Sequence, residues 1–343
     1  MAEQNMPEAG NSRRGFLRGA AVGLGVIGSA TAQSGRKLQP APPGTNTSFG
    51  AIKQVDAGLL DVGYAEAGPA GGPPVVLLHG WPYDIHSYVD VAPMLASAGY
   101  RVIVPYLRGY GTTRFLSGET FRNAQQSAVA QDVIALMDAL RIEKAIVGGF
   151  DWGSRTAVIM AALWPSRCKA IVSVSGYLVT NLIANQQPLP PQAGLGWWYQ
   201  YYFATERGKV GYSQNRNEFN RLIWKSASPK WNFDDATFNR TAAAFQNPDH
   251  VSIVIHNYRW RLSLAEGEPR YEALERKLSL GPVVLAPAIT IASDFDGPAA
   301  DGAAYAKKFA GKHSHRVLKD IGHNVPQEAP QAFAQAVIDV DSY

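Results

Sequence analysis

From about residue 51 onward, short apolar or β-branched runs alternate with stretches whose apolar positions recur every three or four residues. This alternation predicts βαβ units and a mostly parallel, doubly wound sheet. The predicted strands are Val75–Leu78, Arg101–Pro105, Lys144–Gly148, Ala170–Val174 and Ala288–Ala292, with helices over Ala124–Leu140 and Arg155–Trp164. The alternation stops between roughly Leu178 and Leu280, where the chain is rich in Trp, Tyr, Phe and Asn and reads as helices without strands between them. The pattern therefore predicts an α/β core of residues 49–179 and 281–343 with a helical cap, residues 180–280, inserted in it. Past the cap it predicts a further helix near Ala300–Phe309, a strand near His315–Leu318 and a last helix near Pro326–Ile338. No repeat is visible.

Composition narrows the class. With 343 residues, 46% hydrophobic and 17% charged, and a net charge of +4, the chain is a globular protein and not a disordered, fibrous or coiled-coil one. No segment reaches the roughly 18 uninterrupted apolar residues of a spanning helix, which excludes a polytopic membrane protein. The basic excess is scattered, with no basic helix face, so nucleic acid is not an expected partner. Cys168 is the single cysteine, which excludes an intramolecular disulfide and a multi-cysteine metal site and reads as a small buried apolar residue.

The N-terminus reads as an address. Ser12-Arg13-Arg14-Gly15-Phe16-Leu17 precedes a weakly apolar, glycine-rich run and then Ala30-Thr31-Ala32, which suits cleavage before Gln33. Residues 1–32 thus resemble a twin-arginine export signal, implying the bacterial twin-arginine translocase as a partner and a periplasmic or secreted destination. Residues 33–48, rich in Pro, Gly, Ser and Thr, read as a linker.

The sharpest chemical signal is Gly149-Phe150-Asp151-Trp152-Gly153 between a buried strand and a helix. Small residues flank a turn that must be sharp, and the central side chain is raised at the carboxyl edge of the sheet with a helix N-terminus behind it. Asp151 then reads as a nucleophile, or more simply as the cap of that helix. Further along come Ser293-Asp294-Phe295-Asp296-Gly297 and Asp320-Ile321-Gly322-His323-Asn324. The order Asp, Asp, His, each just after a strand, is that of a nucleophile–acid–base triad. Asp296 is the expected acid orienting His323, with Asp294 the alternative. His79-Gly80-Trp81-Pro82 follows the strand Val75–Leu78, where the Trp81 amide, with that of Trp152, suits an oxyanion hole. His86, His250 and His256 show no partner in the sequence, and His313 and His315 alternate on a predicted strand, where surface exposure is expected.

Together these blocks, over about Val75–Pro330, resemble the α/β-hydrolases with an Asp nucleophile, namely epoxide hydrolases and haloalkane dehalogenases. The resemblance implies an α/β-hydrolase fold and no cofactor or metal. The cap segments Trp198-Tyr199-Gln200-Tyr201-Tyr202-Phe203 and His256-Asn257-Tyr258-Arg259-Trp260 look like those carrying the epoxide-activating tyrosines of soluble epoxide hydrolases, which implies Tyr199 and Tyr258 as proton donors. Trp198 and Phe203 are expected to line an apolar or aromatic substrate pocket, and a small epoxide and water are the expected partners. A homodimer is compatible with the sequence. Two departures from the family pattern are Tyr106, where Asp is usual, and Phe150, where His commonly precedes the nucleophile. A haloalkane dehalogenase using the same triad is the alternative, with Trp152 and Trp81 or a cap tryptophan as halide donors. A fluoroacetate dehalogenase usually carries two arginines by the nucleophile, of which only Arg155 is present. The remaining alternative is a non-catalytic small-molecule binder.

Overall fold

The structure, a computed structural model, describes Leu38 and residues 41–343. The twin-arginine segment, the Ala30-Thr31-Ala32 site and the first part of the linker lie outside the described residues. Residues 41–48 form no regular element but are tied to the core, because the Gly44 and Asn46 backbone N–H groups donate to the Asp90 carboxylate at 2.7 Å each.

Among the described residues nine strands make one sheet: β1 (Lys53–Ala57), β2 (Leu60–Ala67), β3 (Pro74–Leu78), β4 (Arg101–Pro105), β5 (Arg114–Phe115), β6 (Ala145–Gly149), β7 (Cys168–Val174), β8 (Ala288–Ala292) and β9 (His313–Val317). The order is β1-β2-β4-β3-β6-β7-β8-β9, with β5 pairing β2. Pairings from β4 through β9 are parallel, whereas β2 runs antiparallel to β1, β4 and β5. The central strands read as unbroken apolar runs because helices cover both faces, so every residue of β6 and β8 is buried. The antiparallel edge follows a different rule. In β1 only Ala57 is buried, and such a strand carries little hydrophobic signal.

Helices α1 (Val91–Ser97), α2 (Gln126–Ala139) and α3 (Trp152–Leu163) follow strands of the core, and α10 (Val325–Glu328) and α11 (Pro330–Asp341) close the chain. Successive residues of β6 face opposite sides: Gly148 faces Phe333 of α11, and Gly149 faces Gly153 of α3. The cap lies between β7 and β8 as α4 (Pro191–Gly196), α5 (Trp198–Ala204), α6 (Glu206–Ala227), α7 (Asp235–Ala242), α8 (His250–Arg261) and α9 (Glu272–Ser279). Among the described residues no helix is long and apolar enough to cross a membrane.

Three expectations change. The helix near Ala300–Phe309 shrinks to a 3-10 turn at Ala306–Lys308, because Gly302 takes a φ of +69° that an α-helix cannot accommodate. The last helix is broken before Pro330, whose ring cannot continue it. His313 and His315 are half-buried, and both ring nitrogens nearest Thr290 lie within 2.9 Å of its hydroxyl.

The cap is fastened to the loop after β3. The Trp81 Nε1–H donates to the Tyr212 hydroxyl (3.0 Å), which donates to His250 Nε2 (2.9 Å), whose Nδ1–H donates to Gly109 O (3.0 Å). One loop residue on, Trp224 Nε1–H reaches Pro82 O at 2.8 Å and its ring stacks on Tyr83 at 4.9 Å. Burial holds the imidazoles of His79 and His250 down at about 4 and about 3, against the opposing pull of the Gly80 and Gly109 carbonyls. Both rings are therefore neutral when folded and charged when unfolded below about pH 6.5. Between that pH and their folded values the unfolded chain binds more protons, so stability falls as pH falls, by about 1.4 kcal/mol per pH unit for each ring. Urea unfolding from about pH 7 to about pH 4.5 should show this slope, and His250→Gln should make it shallower; a flat profile contradicts the neutral-histidine assignment.

Candidate active site

The geometry begins at the β6–α3 turn. Asp151 has φ 52° and ψ −121°, a strained conformation for a residue with a side chain, and it is held there by what surrounds it. A Cβ on Gly149 would run into the Gly153 backbone, one on Gly153 into the Leu78 carbonyl, and one on Gly80 into the Asp151 side chain. Only glycine at these positions lets the β3 and β6 loops approach. Leu78 and Gly149 are register partners, so the two loops leave the sheet side by side. Across the gap the Trp81 backbone N–H donates to Asp151 Oδ1 at 2.8 Å.

His323 arrives from the loop after β9, and its Nε2 lies 3.4 Å from Asp151 Oδ2. The Asp151 carboxyl feels burial pushing it up, yet the His323 ring, the Arg155 charge and the Trp81 amide outweigh it and hold it below the usual carboxylate range. It is therefore an ionised carboxylate in an almost closed site, aimed by one backbone donor and faced by one imidazole. Trp152 is the first residue of α3, so its amide belongs to the unpaired donors of a helix N-terminus.

The expected acid is not brought to His323. Asp296 Oδ2 accepts the Ser293 backbone N–H at 2.8 Å, capping its own 3-10 turn, Asp294–Ala299. That local bond competes with the distant one. Asp294, the alternative, pairs instead with Lys230 at 2.8 Å on the surface. The Phe295 ring lies 4.1 Å from that of His323, and His323 Nδ1 is buried with no hydrogen-bond partner.

Other residues hold His323 in place, and the sequence reading passed over them. Glu328 accepts from Gly322 N (2.7 Å), Asn324 N (3.0 Å) and the Ser228 hydroxyl (2.7 Å), and Ser228 Oγ in turn accepts the His323 backbone N–H at 2.9 Å. The loop on either side of His323 is thus fixed by one carboxylate and by a serine from the end of the cap helix α6. The acid one turn past His323, in the short helix that follows it, was a signal for Glu328; nothing in the sequence announces Ser228.

Above Asp151 lies a cavity of about 530 Å³, lined among others by Trp81, Trp198, Tyr199, Ile223, Phe295 and His323. Tyr199 and Tyr258 are buried with ring centres 5.4 Å apart, and Trp81 touches both, at 5.1 and 5.2 Å. Burial raises both phenols well above their ordinary value, and the Asp151 charge adds to this. They stay protonated donors. Trp198 lines the cavity as expected, whereas Phe203 is fully buried against Trp81 and Tyr258 and forms its support. Phe150 fills the space between Tyr83 and His323, at 5.1 and 5.9 Å. Tyr106 packs its ring against the Gly111 backbone.

The chain belongs to the alpha/beta hydrolase fold family, whose model matches residues 73–326. Within that family it resembles epoxide hydrolases. A crystal structure from Klebsiella pneumoniae subsp. pneumoniae MGH 78578, provisionally named an epoxide hydrolase, is 57% identical with a TM-score of 0.84, over 85% of this chain and 97% of that one. Epoxide hydrolase B of Mycobacterium tuberculosis is 37% identical over 152 residues, 40% of this chain and 42% of the relative. An epoxide hydrolase of Caballeronia sordidicola is 32% identical over 137 residues, 40% of this chain and 41% of the relative. The chain thus spans about two fifths of the length of these curated relatives.

If Glu328 fixes the base, Glu328→Gln should cost about 2 kcal/mol of stability, as the loss of charge-assisted hydrogen bonds does, and should lower turnover more than substrate affinity. Urea unfolding and steady-state kinetics measure the two effects. A variant of unchanged kcat would show that the loop holds His323 without it.

Proposed function

We propose that this chain hydrolyses an epoxide to a vicinal diol through an ester on Asp151. The observation that carries the reading is the pair of buried, protonated tyrosines near an ionised Asp151: Tyr199 lines the same cavity as Asp151, and Tyr258 packs against Tyr199. An epoxide opens by expelling an alkoxide, which leaves poorly unless a proton meets it as the bond breaks. Two phenols about one ring oxygen meet that need, and they polarise the ring before it opens.

The steps follow from the arrangement. Asp151 Oδ2 attacks a ring carbon; the carbon–oxygen bond breaks and the ring oxygen takes a phenolic proton, leaving a hydroxyalkyl ester. Oδ1, already on the Trp81 amide, is the oxygen that becomes the oxyanion when the ester is cleaved. His323 Nε2, on the Oδ2 side, takes a proton from water as the hydroxide adds to the Asp151 carboxyl carbon. Collapse frees the diol, restores the carboxylate and returns the proton from His323 to the tyrosinate. His323 must be neutral to take that proton.

Dehalogenation is the second reading, favoured by one observation: the Trp152 indole N–H is buried without a partner. Of the second donors expected beside it, the Trp81 indole N–H is taken by Tyr212, which leaves a cap tryptophan such as Trp198 on the cavity wall. Export by the twin-arginine route stays part of the proposal on the strength of Ser12–Leu17, and sequencing the N-terminus of the exported form tests it: Gln33 is expected, and an intact Met1 contradicts it.

The reaction is tested by giving the protein terminal and aryl epoxides beside chloro- and bromoalkanes and scoring diol and halide. Diol is expected, abolished in Asp151→Asn and reduced by roughly 10²-fold or more in Tyr199→Phe with Tyr258→Phe, the range of a lost general acid. Halide without diol would assign dehalogenation and leave the tyrosines as packing groups.

A further inference from the structure

His79, Tyr212 and His250 are wholly buried and take no part in this chemistry. They share one circuit of hydrogen bonds that begins at the Gly80 carbonyl and ends at the Trp81 indole. His79 Nδ1 lies 3.0 Å from Gly80 O, and its Nε2 accepts the Leu107 backbone N–H at 3.1 Å. Two residues further along that loop, the Gly109 carbonyl receives His250, which is bonded to Tyr212 of α6, which is bonded to the Trp81 indole. The Tyr110 ring stands edge-on to both imidazoles, at 4.7 and 4.8 Å, and fills the space between them.

Every bond of the circuit has one possible direction. An indole N–H only donates and a carbonyl only accepts, so Trp81 donates to the Tyr212 oxygen, Tyr212 to His250 Nε2, and His250 Nδ1–H to Gly109. The Leu107 N–H likewise leaves His79 Nε2 as an acceptor, and Nδ1–H donates to Gly80. What the circuit encloses is the peptide whose N–H holds Asp151 Oδ1. The carbonyl of that peptide accepts two donors, His79 Nδ1–H and the Tyr83 N–H, each at 3.0 Å. Donors on a peptide carbonyl strengthen the N–H of the same peptide. Past that N–H, the Tyr212 bond fixes the ring against which Tyr199 and Tyr258 pack.

We propose that Tyr212, seated on His250, is a positioning residue for the oxyanion step: through the Trp81 indole it keeps the Trp81 amide on Asp151 Oδ1. The inference rests on the Asp151-ester reading for its kinetics but not for its geometry. A donor aimed at developing charge is worth more in the transition state than before it, and Oδ1 gains its charge when the ester is cleaved. Loosening Trp81 therefore slows cleavage of the ester more than its formation. Tyr212→Phe makes that change with little else, since it keeps the ring and removes the one hydroxyl between indole and imidazole.

The test reads geometry and kinetics separately. With the tryptophans isotopically labelled on nitrogen, the Trp81 amide NMR signal, assigned by its absence in Trp81→Phe, should move upfield in Tyr212→Phe. In His250→Leu, where Tyr212 loses its seat, it should move the same way by less. With styrene oxide, Tyr212→Phe should lose about tenfold in kcat, the worth of one buried hydrogen bond. KM should fall alongside, because kcat/KM covers only the steps through ester formation, and intact mass should show the ester accumulating. A loss that is only structural lowers kcat at constant KM and accumulates no ester. That result, or a Trp81 amide unmoved in both variants, overturns the proposal. A moved amide in a chain that opens no epoxide keeps the positioning role and sinks the reaction instead.

Discussion

The site depends on how closely two loops approach at the carboxyl end of adjacent parallel strands. β3 and β6 are hydrogen-bonded neighbours, and only because Gly80, Gly149 and Gly153 carry no side chain can the loops beyond them come near enough for the Trp81 amide to hold Asp151. That single bond sets which carboxylate oxygen is occupied, and so which one faces His323. The strained backbone of Asp151 is the local cost, sustained by the fully buried strand before it and the helix packed after it.

The cap is read by the same loop. Trp81 offers its backbone to Asp151 of the core and its indole to a cap tyrosine, while the next residues, Pro82 and Tyr83, receive Trp224 of the cap. Ser228, at the end of the same cap helix, touches the backbone of the catalytic-candidate histidine. Cap and core therefore hold the site jointly: a shift of α6 would move the roof of the cavity and the seat of His323 together.

The sequence made the interior of this protein legible where residues report their own surroundings. β3, β4, β7 and β8 stand within a residue or two of their expected bounds because strands covered on both faces are apolar throughout, and the elbow announces itself by its glycines. The edge strand β1 went unseen because a strand with one buried residue has no such pattern. Asp296 is instructive in the opposite sense. Chain order marked it as the acid, but a carboxylate three residues past a serine also closes its own turn, and here the short-range bond is the one made. Ser228 acts across the cap boundary, and sequence adjacency carries no trace of that.

The central claim is that Asp151 is alkylated, rather than serving as a base for water. Removing the proposed base of the second step should strand the first: His323→Gln incubated with styrene oxide and measured by intact mass should gain one epoxide equivalent, mapped by peptide analysis to Asp151. Diol formed by that variant with no adduct at any time would contradict the account, since water would then be reaching the epoxide directly.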